Sequence, residues 1–369
     1  MRRVSAAAAC FLLLLGCKKE EAKPAATTPA AQPAQPAQPA EPAQPAQPAQ
    51  PTAAAPGKKE SDDACVGPLT QNVKATVEVG GVTYERDGAI LRRTAADPDD
   101  QFVFGVISDI KEDAPENLAN IKAATAFFAE NKADAILFLG DSSETQAGVT
   151  KVLSTLAESG LPVFAIVGNR ECKSHWVAGM AEAQKTHKNL FDFTQIRLFN
   201  ADDVSVISIP GYHNPTYLHC PEGCRYFPSD VEATAALVKQ ATGTPVLISH
   251  GPPRQEGATA IDRIHDEANV GDPALAEFIQ KNNIPFGAFG NIAEAGGKAT
   301  DLAGKTVIAP DTLANSLYLN PGPADAIQWQ MLDGTTAQGM AAVLTIKGKQ
   351  ASYKTKRFGA PAPAAAPKK

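Results

Sequence analysis

Five short polar blocks, four of which directly follow an apolar run and the last the milder Pro285-Phe286-Gly287-Ala288, constrain the fold of this chain more than any other feature. Ligands bind at the carboxyl ends of the strands in open α/β sheets. One Asp after a buried strand is often only a helix cap, but five such blocks in series indicate a single shared site. The blocks are Ile107-Ser108-Asp109, Leu139-Gly140-Asp141, Val167-Gly168-Asn169-Arg170-Glu171, Ile248-Ser249-His250-Gly251 and Phe289-Gly290-Asn291-Ile292-Ala293.

Strand patterns and helix patterns alternate between these blocks. The alternation predicts a mostly parallel sheet flanked by helices, with right-handed crossovers. Four late segments between residues 306 and 356 are expected to form a second sheet. Residues 102–107, 135–139 and 162–167 read as buried strands, and residues 116–132, 149–158, 174–188 and 229–240 as helices.

A shorter β-rich region precedes this domain. Apolar and polar residues alternate over residues 73–94, interrupted by Gly80-Gly81 and Asp87-Gly88, which are typical two-residue hairpin turns. The pattern predicts a small antiparallel β-meander at 65–100, attached to a main domain at 101–358.

The first 64 residues read as a targeting segment and a spacer. Residues 1–16 combine a basic start with an apolar run too short to span a bilayer, as in a signal peptide. Leu14-Leu15-Gly16-Cys17 resembles the bacterial lipobox, which implies cleavage before Cys17 and lipid attachment there; an ordinary signal peptide with a chance Cys is the alternative. Within residues 17–64 the repeated Ala-Gln-Pro predicts an extended spacer, and residues 359–369 a disordered tail.

These features predict a bacterial cell-envelope protein whose only membrane attachment is its lipid. Lys18 is no evident retention signal, which favours the outer over the inner membrane. Loss of Arg2 and Arg3 with the signal leaves 32 of 34 basic residues against 40 acidic ones, a net charge of −8. The chain has no basic cluster, so no nucleic-acid partner is expected.

Four cysteines remain once Cys10 leaves with the signal and Cys17 carries lipid. An even number in an exported protein predicts disulfides. Cys220 and Cys224 enclose Pro-Glu-Gly, which contains its own turn residues, and we therefore expect a structural Cys220–Cys224 bridge.

Taken together, the five blocks resemble the motif series of the calcineurin-like metallophosphoesterases. That series is Asp-x-His, Gly-Asp, Gly-Asn-His-Asp/Glu, a lone His, and Gly-His-x-His. The resemblance spans about residues 102–355 and includes the turn Asn320-Pro321-Gly322. It implies an α/β fold, a β-sandwich flanked by helices. It also implies two divalent metals that share a carboxylate and activate water for attack on phosphorus.

Carried onto this chain, the resemblance assigns a metal-ligand role to Asp109, Asp141, Asn169 and His250. Asp141 takes the place of the shared carboxylate. Asn291 stands at a family His and could offer only an amide oxygen, which is a weaker ligand than imidazole. The mixed oxygen and nitrogen set that remains implies one divalent metal, Mn, Zn or Fe.

Three other family histidines are absent. Lys111 replaces the first, Arg170 the catalytic one, and Ala293 the last. These losses argue against a two-metal centre.

Two roles for Arg170 and Lys111 stay open at this point. A guanidinium cannot be a general acid at neutral pH, but it can bind phosphate with paired hydrogen bonds. Alternatively, the two cations could only neutralise Asp109 and Asp141 as buried ion pairs.

Two functions follow from these alternatives. The first is an envelope-anchored metallophosphoesterase-family protein with an incomplete di-metal site, which binds phosphate esters or other small anions and hydrolyses them weakly. The second is a catalytically inactive binding or scaffold lipoprotein.

Overall fold

The computed structural model describes residues 65–96 and 99–359. The predictions for Cys17, for the signal peptide and spacer, and for the tail beyond residue 359 lie outside the described residues. Within the described part, the helices are too short or too polar to cross a bilayer.

Strands make up most of the regular structure. The described residues form eighteen strands in chain order: β1 (Lys74–Val79), β2 (Val82–Asp87), β3 (Ile90–Arg93), β4 (Gln101–Ile107), β5 (Ala135–Phe138), β6 (Val163–Ala165), β7 (Leu190–Asp192), β8 (Leu198–Asn200), β9 (Val204–Ile209), β10 (Thr244–Ser249), β11 (Phe286–Phe289), β12 (Lys298–Thr300), β13 (Val307–Ile308), β14 (Leu317–Asn320), β15 (Trp329–Gln330), β16 (Thr336–Ala337), β17 (Met340–Lys347) and β18 (Gln350–Arg357).

Six α-helices accompany them among the described residues: α1 (Pro115–Glu130), α2 (Gln146–Ala157), α3 (Lys173–Thr186), α4 (Pro228–Ala233), α5 (Ala235–Val238) and α6 (Pro273–Lys281). Four of them, α1, α2, α4 and α6, start with a side-chain cap or with a proline in the first turn. Thr145 accepts a hydrogen bond from Gly148 N at 3.0 Å before α2, and Asp272 accepts one from Ala274 N at 2.9 Å before α6.

The strands form two large sheets and a two-stranded ribbon, β15-β16. The larger sheet has the order β1-β2-β3-β8-β9-β10-β11-β14-β12-β13, and the smaller β18-β17-β4-β5-β6-β7. Strands β4 to β7 are parallel, and so are β9, β10, β11 and β14. The antiparallel meander β1-β2-β3 extends the larger sheet through the parallel β3–β8 pair.

The two sheets pack against each other and bury the central core. Phe102, Phe104 and Val106 of β4 belong to a buried cluster that draws residues from both sheets. Val103 and Ile107, which alternate with them, belong to a second cluster shared with α1, α2 and α3. A third cluster lies between the larger sheet and α4 to α6. The arrangement is a mixed α/β sandwich with helices outside, which confirms the predicted fold class.

Two predictions are wrong, one about the sheet that the late strands form and one about a helix. The late strands do not share one sheet, because β13 and β14 join the larger sheet through β11, whereas β17 and β18 join the smaller one through β4. The helix expected over residues 229–240 is divided into α4 and α5 at Thr234. The Thr234 hydroxyl accepts a hydrogen bond from Nη2 of the buried Arg197 at 2.9 Å.

The expected Cys220–Cys224 bridge is also wrong. Cys65 pairs with Cys224 and Cys172 with Cys220, with Cα–Cα distances of 5.1 and 5.8 Å. The intervening residues form a turn in which Gly223 N donates to Cys220 O at 3.0 Å, and Gly223 also makes an isolated β-bridge with Cys172. The turn therefore presents its two cysteines to different neighbours.

Candidate metal centre

Three buried side chains from separate strand ends converge on one point. Asp109 follows β4, Asp141 follows β5 and His250 follows β10, so the two sheets contribute at the same edge of the sandwich. One potential ligand atom from each of the three lies within 4.8 Å of the others. All three residues are at most 3% exposed. The group is a candidate metal-binding triad.

Two glycines let these strand ends approach closely. A Cβ at Gly168 would lie 2.3 Å from Asp141 Oδ1 and 2.9 Å from His250 Cε1. A Cβ at Gly290 would lie 2.0 Å from Ser108 Oγ. Neither position has room for a side chain, which explains physically why glycine occurs in these two blocks.

The backbone is unusual at the same positions. Four of the eight non-glycine residues with positive φ in the described part of the chain belong to this region: Asp109 (58°), Lys111 (70°), Asp141 (63°) and Asn291 (66°). Asp and Asn tolerate this left-handed conformation better than Lys does. Such residues concentrate at functional sites, where the surrounding structure holds them in place.

The contacts of His250 show that the site suits a cation. His250 Nδ1 lies 2.7 Å from Leu139 O, so in a neutral ring the proton belongs on Nδ1. Nε2 then points its lone pair at Asn169 Oδ1 (2.9 Å) and Asp141 Oδ1 (3.2 Å). Three acceptor atoms that face one another require a proton or a metal ion between them.

The orientation of the Asn169 amide is set from outside the site. Its Nδ2 donates to Tyr217 O at 2.7 Å, which leaves Oδ1 as the atom directed at His250. Neutral imidazole, carboxylate and amide oxygen are ligands suited to divalent transition metals. The residues present therefore fit such an ion.

Charge interactions tie His250 and Asp141 together. Burial alone would raise the pKa of Asp141, but His250 and Arg170 outweigh that effect and lower it. Burial would lower the pKa of His250, whereas Asp141 and Asp109 raise it overall. Asp141 Oδ1 also accepts hydrogen bonds from the backbone N–H groups of Asn169 and Arg170, both at 3.1 Å.

Asp109 is less well compensated than Asp141. Burial, followed by the charge of Asp141, raises the pKa of Asp109. Its Oδ2 accepts a hydrogen bond from Asn291 N at 3.0 Å. The Asn291 side chain instead makes a hydrogen bond with the Tyr212 phenol. Burial raises the pKa of that phenol, and the bond with Asn291 opposes the rise.

Lys111 does not pair with the carboxylates of the triad. Its Nζ lies 2.8 Å from Oδ2 of the buried Asp325 and 3.9 Å from the centre of the Trp329 ring. Asp325 is held in turn, because its backbone N donates to Asp109 O at 3.0 Å and its Oδ1 accepts from Trp329 Nε1 at 2.9 Å. The ammonium is thus bound by an acid outside the metal-binding set.

Arg170 is bound in a similar way at the rim. Its Nη1 lies 2.8 Å from Glu144 Oε1, whereas its Nε lies 3.5 Å from Asp141 Oδ2. Glu144 Oε1 also contacts His219 Nδ1 at 2.9 Å. The Arg170 side chain is 26% exposed, so a ligand entering the site can reach it.

Glu171 is fully buried next to the site and accepts three hydrogen bonds. The donors are Ser142 N (2.5 Å), Ser142 Oγ (2.7 Å) and Gly168 N (3.0 Å). It thereby joins the loops after β5 and β6, which carry Asp141 and Asn169. Burial, with the charge of Asp141, raises its pKa to about 7.

We expect Glu171 to make metal-free stability depend on pH. Its folded-state pKa of about 7 lies above the ordinary value of 4.5. The protonated Glu171 therefore contributes its full share of the unfolding free energy below pH 4.5, and this contribution is lost as the pH rises through 7. Urea unfolding at pH 5 and pH 8 should show a decline on the order of 3 kcal/mol from this group. Glu171→Gln should flatten the decline and the exposed Glu112→Gln should not; equal declines in all three proteins would refute this role.

Sequence reasoning missed Asp325, Glu144 and the role of Glu171. Asp325 follows the Asn320-Pro321-Gly322 turn after β14, so it also lies beyond a strand end. Glu171 was part of the third block. Glu144 offered no signal, because an exposed acid three residues after Asp141 looks like ordinary surface.

Comparison with known proteins identifies the family of this chain. The model of the calcineurin-like phosphoesterase family matches residues 102–290, just over half of the 369-residue chain. The chain belongs to that family, which is metal-dependent and acts on phosphate esters. No curated protein sequence matches the chain.

Several solved structures resemble it at low identity. TT1561 of Thermus thermophilus is 14% identical, with a TM-score of 0.49, and covers 69% of this chain and 98% of its own. GAP50, the anchor in the inner membrane complex of Plasmodium, is 12% identical, with a TM-score of 0.47, and covers 70% of this chain and 85% of its own. A dimetal phosphatase from Danio rerio is 10% identical, with a TM-score of 0.43, and covers 71% and 100%.

Proposed function

We propose that this protein is a metal-dependent phosphoesterase that works with one divalent ion. Asp141 and His250 would hold the ion, with Asp109 and the amide oxygen of Asn169 completing the set. Mn, Zn or Fe suits this mixture of oxygen and nitrogen ligands. When bound, such an ion supplies Lewis-acid polarisation of a phosphoryl oxygen.

One observation carries the proposal. Lys111 and Arg170 replace family histidines. Lys111 is bound by Asp325, outside the triad, and Arg170 lies closer to Glu144 (2.8 Å) than to Asp141 (3.5 Å). If the two cations had taken over the neutralisation of the site, they should face Asp109 and Asp141 most closely. Instead, Asp109 and Asp141 lie beside His250 with only the longer Arg170 contact to offset their charge, and this arrangement favours a metal cation.

Arg170 would supply the phosphate contact. It stays protonated at neutral pH, so it can stabilise developing negative charge but cannot give a proton to the leaving group. The hydrolysis it supports should therefore favour esters whose leaving groups need no protonation, such as aryl phosphates. Lys111 is held by Asp325, so it would act on the phosphate through its positive charge rather than by direct contact.

Metal removal tests this function directly. We expect hydrolysis of 4-nitrophenyl phosphate by the full chain to disappear after chelation and to return with Mn²⁺. His250→Ala should abolish both Mn²⁺ binding, measured by calorimetry, and the restored hydrolysis, because it removes the only nitrogen of the set. His265→Ala is the matched control, since His265 is exposed, and it should behave like the unmodified protein. Mn²⁺-dependent hydrolysis that survives in His250→Ala would rule the proposal out.

The alternative is an inactive binding or scaffold protein, and the replaced histidines are the observation that favours it. Such a protein would bind phosphate or another small anion at Arg170 without turnover. Phosphate binding that is lost in Arg170→Ala, with no hydrolysis under any metal, would support this alternative.

We also propose that the domain is displayed in the cell envelope on a lipid anchor at Cys17. The lipobox-like sequence and the Pro-rich spacer support this location. The two disulfides support it independently, because disulfides persist in oxidising compartments. Lys18 supports placement in the outer membrane, and metabolic labelling with a palmitate analogue, lost in Cys17→Ala, is the direct test of the anchor.

A further inference from the structure

One loop beside the metal centre is fastened by disulfides at both of its cysteines. Residues 213–224, which we call the clamp loop, contain Cys220 and Cys224, and each pairs with a cysteine elsewhere in the chain. Cys172, the partner of Cys220, immediately precedes α3 and lies three residues after Asn169. The Cys172–Cys220 bridge therefore ties the clamp loop to the block that carries a metal ligand.

The clamp loop contacts Asn169 at two points. Tyr217 O accepts a hydrogen bond from Asn169 Nδ2 at 2.7 Å, and His219 N donates to Asn169 O at 3.0 Å. Because an amide can rotate by 180°, the contact with Tyr217 O decides that the oxygen, rather than the NH₂ group, faces His250. A lost contact would allow the NH₂ group, which cannot ligate a cation, to turn into the site.

The two bridges differ in exposure. Cys224 is fully buried and Cys65 is 7% exposed. Cys172 and Cys220 are both half-buried, so their bridge is the more accessible of the two to a small thiol. Reduction by thiol exchange depends on such access. The more accessible bridge is the one next to Asn169.

We propose that the Cys172–Cys220 bridge is a redox-sensitive positioning device that holds Tyr217 O against Asn169 and so maintains the metal-binding orientation of its amide. This inference rests on the proposed metal-dependent function. A dithiol would deliver two electrons and two protons: the Cys172–Cys220 S–S bond breaks, both cysteines become thiols, and the dithiol closes to its own disulfide. The Cys65–Cys224 bridge would hold the fold together meanwhile.

Two measurements on the full chain test the device. The first is hydrogen exchange of the Asn169 side-chain amide, followed by NMR, in the oxidised protein and after mild dithiothreitol treatment. Alkylation and mass spectrometry would verify that only Cys172 and Cys220 are reduced. The second is Mn²⁺ affinity by calorimetry in the same samples. We expect faster exchange and about 10-fold weaker Mn²⁺ binding after reduction, both reversed by reoxidation, because losing a group that orients a metal ligand weakens metal binding by about 10- to 100-fold.

Matched variants separate positioning from general stability. Cys172→Ser with Cys220→Ser should reproduce the reduced state, whereas Cys65→Ala with Cys224→Ala should leave both readouts within about twofold of the unmodified protein. If a double variant fails to fold, the reduction experiment on the unmodified chain still decides the question. Unchanged exchange after cleavage of Cys172–Cys220 overturns the proposal, and so does faster exchange with unchanged Mn²⁺ affinity. A protein that binds no Mn²⁺ in either state refutes the proposed function instead, and the exchange rate alone then decides the positioning role.

Discussion

Replacing Asp141 with Asn should weaken Mn²⁺ binding by more than about 100-fold and remove metal-dependent hydrolysis. Altering a group that merely orients a ligand costs 10- to 100-fold, and Asp141 is the carboxylate at the centre of the set. It lies 3.2 Å from His250 Nε2, and burial leaves it 3% exposed. An amide of the same shape keeps one oxygen but loses the negative charge that attracts the cation. Calorimetry and a phosphatase assay on the same preparation would measure both losses.

The fold should survive this change, which makes the result interpretable. The Asn side-chain oxygen can still accept the two backbone hydrogen bonds from Asn169 and Arg170. An exposed carboxylate offers the matched control: Asp113→Asn should leave Mn²⁺ affinity unchanged. Tight Mn²⁺ binding in Asp141→Asn would show that the ion binds elsewhere.

The largest effect on stability should come from Phe164→Ala. Phe164 of β6 is fully buried between the sheets, and its ring centroid lies 4.6 Å from that of Phe193, 4.8 Å from Phe199 and 5.8 Å from Phe191. Truncating a buried Phe leaves a cavity and costs about 3–5 kcal/mol. Urea or guanidinium unfolding of the metal-free protein should therefore show a loss of this size.

Two further variants make that measurement specific. Phe164→Leu fills most of the space and should lose less than Phe164→Ala. Val307→Ala, at a position that is 46% exposed, should change the unfolding free energy by less than about 0.5 kcal/mol. A loss below about 1 kcal/mol in Phe164→Ala would contradict the packing of the two sheets described above.

The elements that carry strong periodicity were predictable from sequence. The strands now called β4, β5 and β6 and the helices α1, α2 and α3 lie where their patterns placed them, within a few residues. Pairing was not predictable for the late strands, because an apolar alternation identifies a strand without naming its partner. The Thr234 hydroxyl at the break bonds to the buried Arg197 guanidinium, a partner from another part of the chain that no local pattern can report.

The candidate site, like the fold, was only partly predictable from the sequence. Strand-end blocks predicted the convergence of Asp109, Asp141 and His250. Parallel strands of one sheet bring Asp109 and Asp141 to one edge, and His250 meets them from the end of β10 in the larger sheet. The partners of Lys111 and Arg170 were not predictable, since Asp325 and Glu144 meet them only in three dimensions. The Cys65–Cys224 and Cys172–Cys220 pairings were hidden for the same reason, as connectivity cannot be deduced from cysteine spacing.

The most direct test of a single-ion centre is crystallography of the full chain with Mn²⁺, recorded at the manganese absorption edge. We predict one anomalous peak per chain, in contact with Asp141, His250 and the Asn169 oxygen, while Lys111 remains paired with Asp325. Two peaks within the cluster, or a peak with no contact to Asp141 and His250, would contradict a single-ion centre at this site.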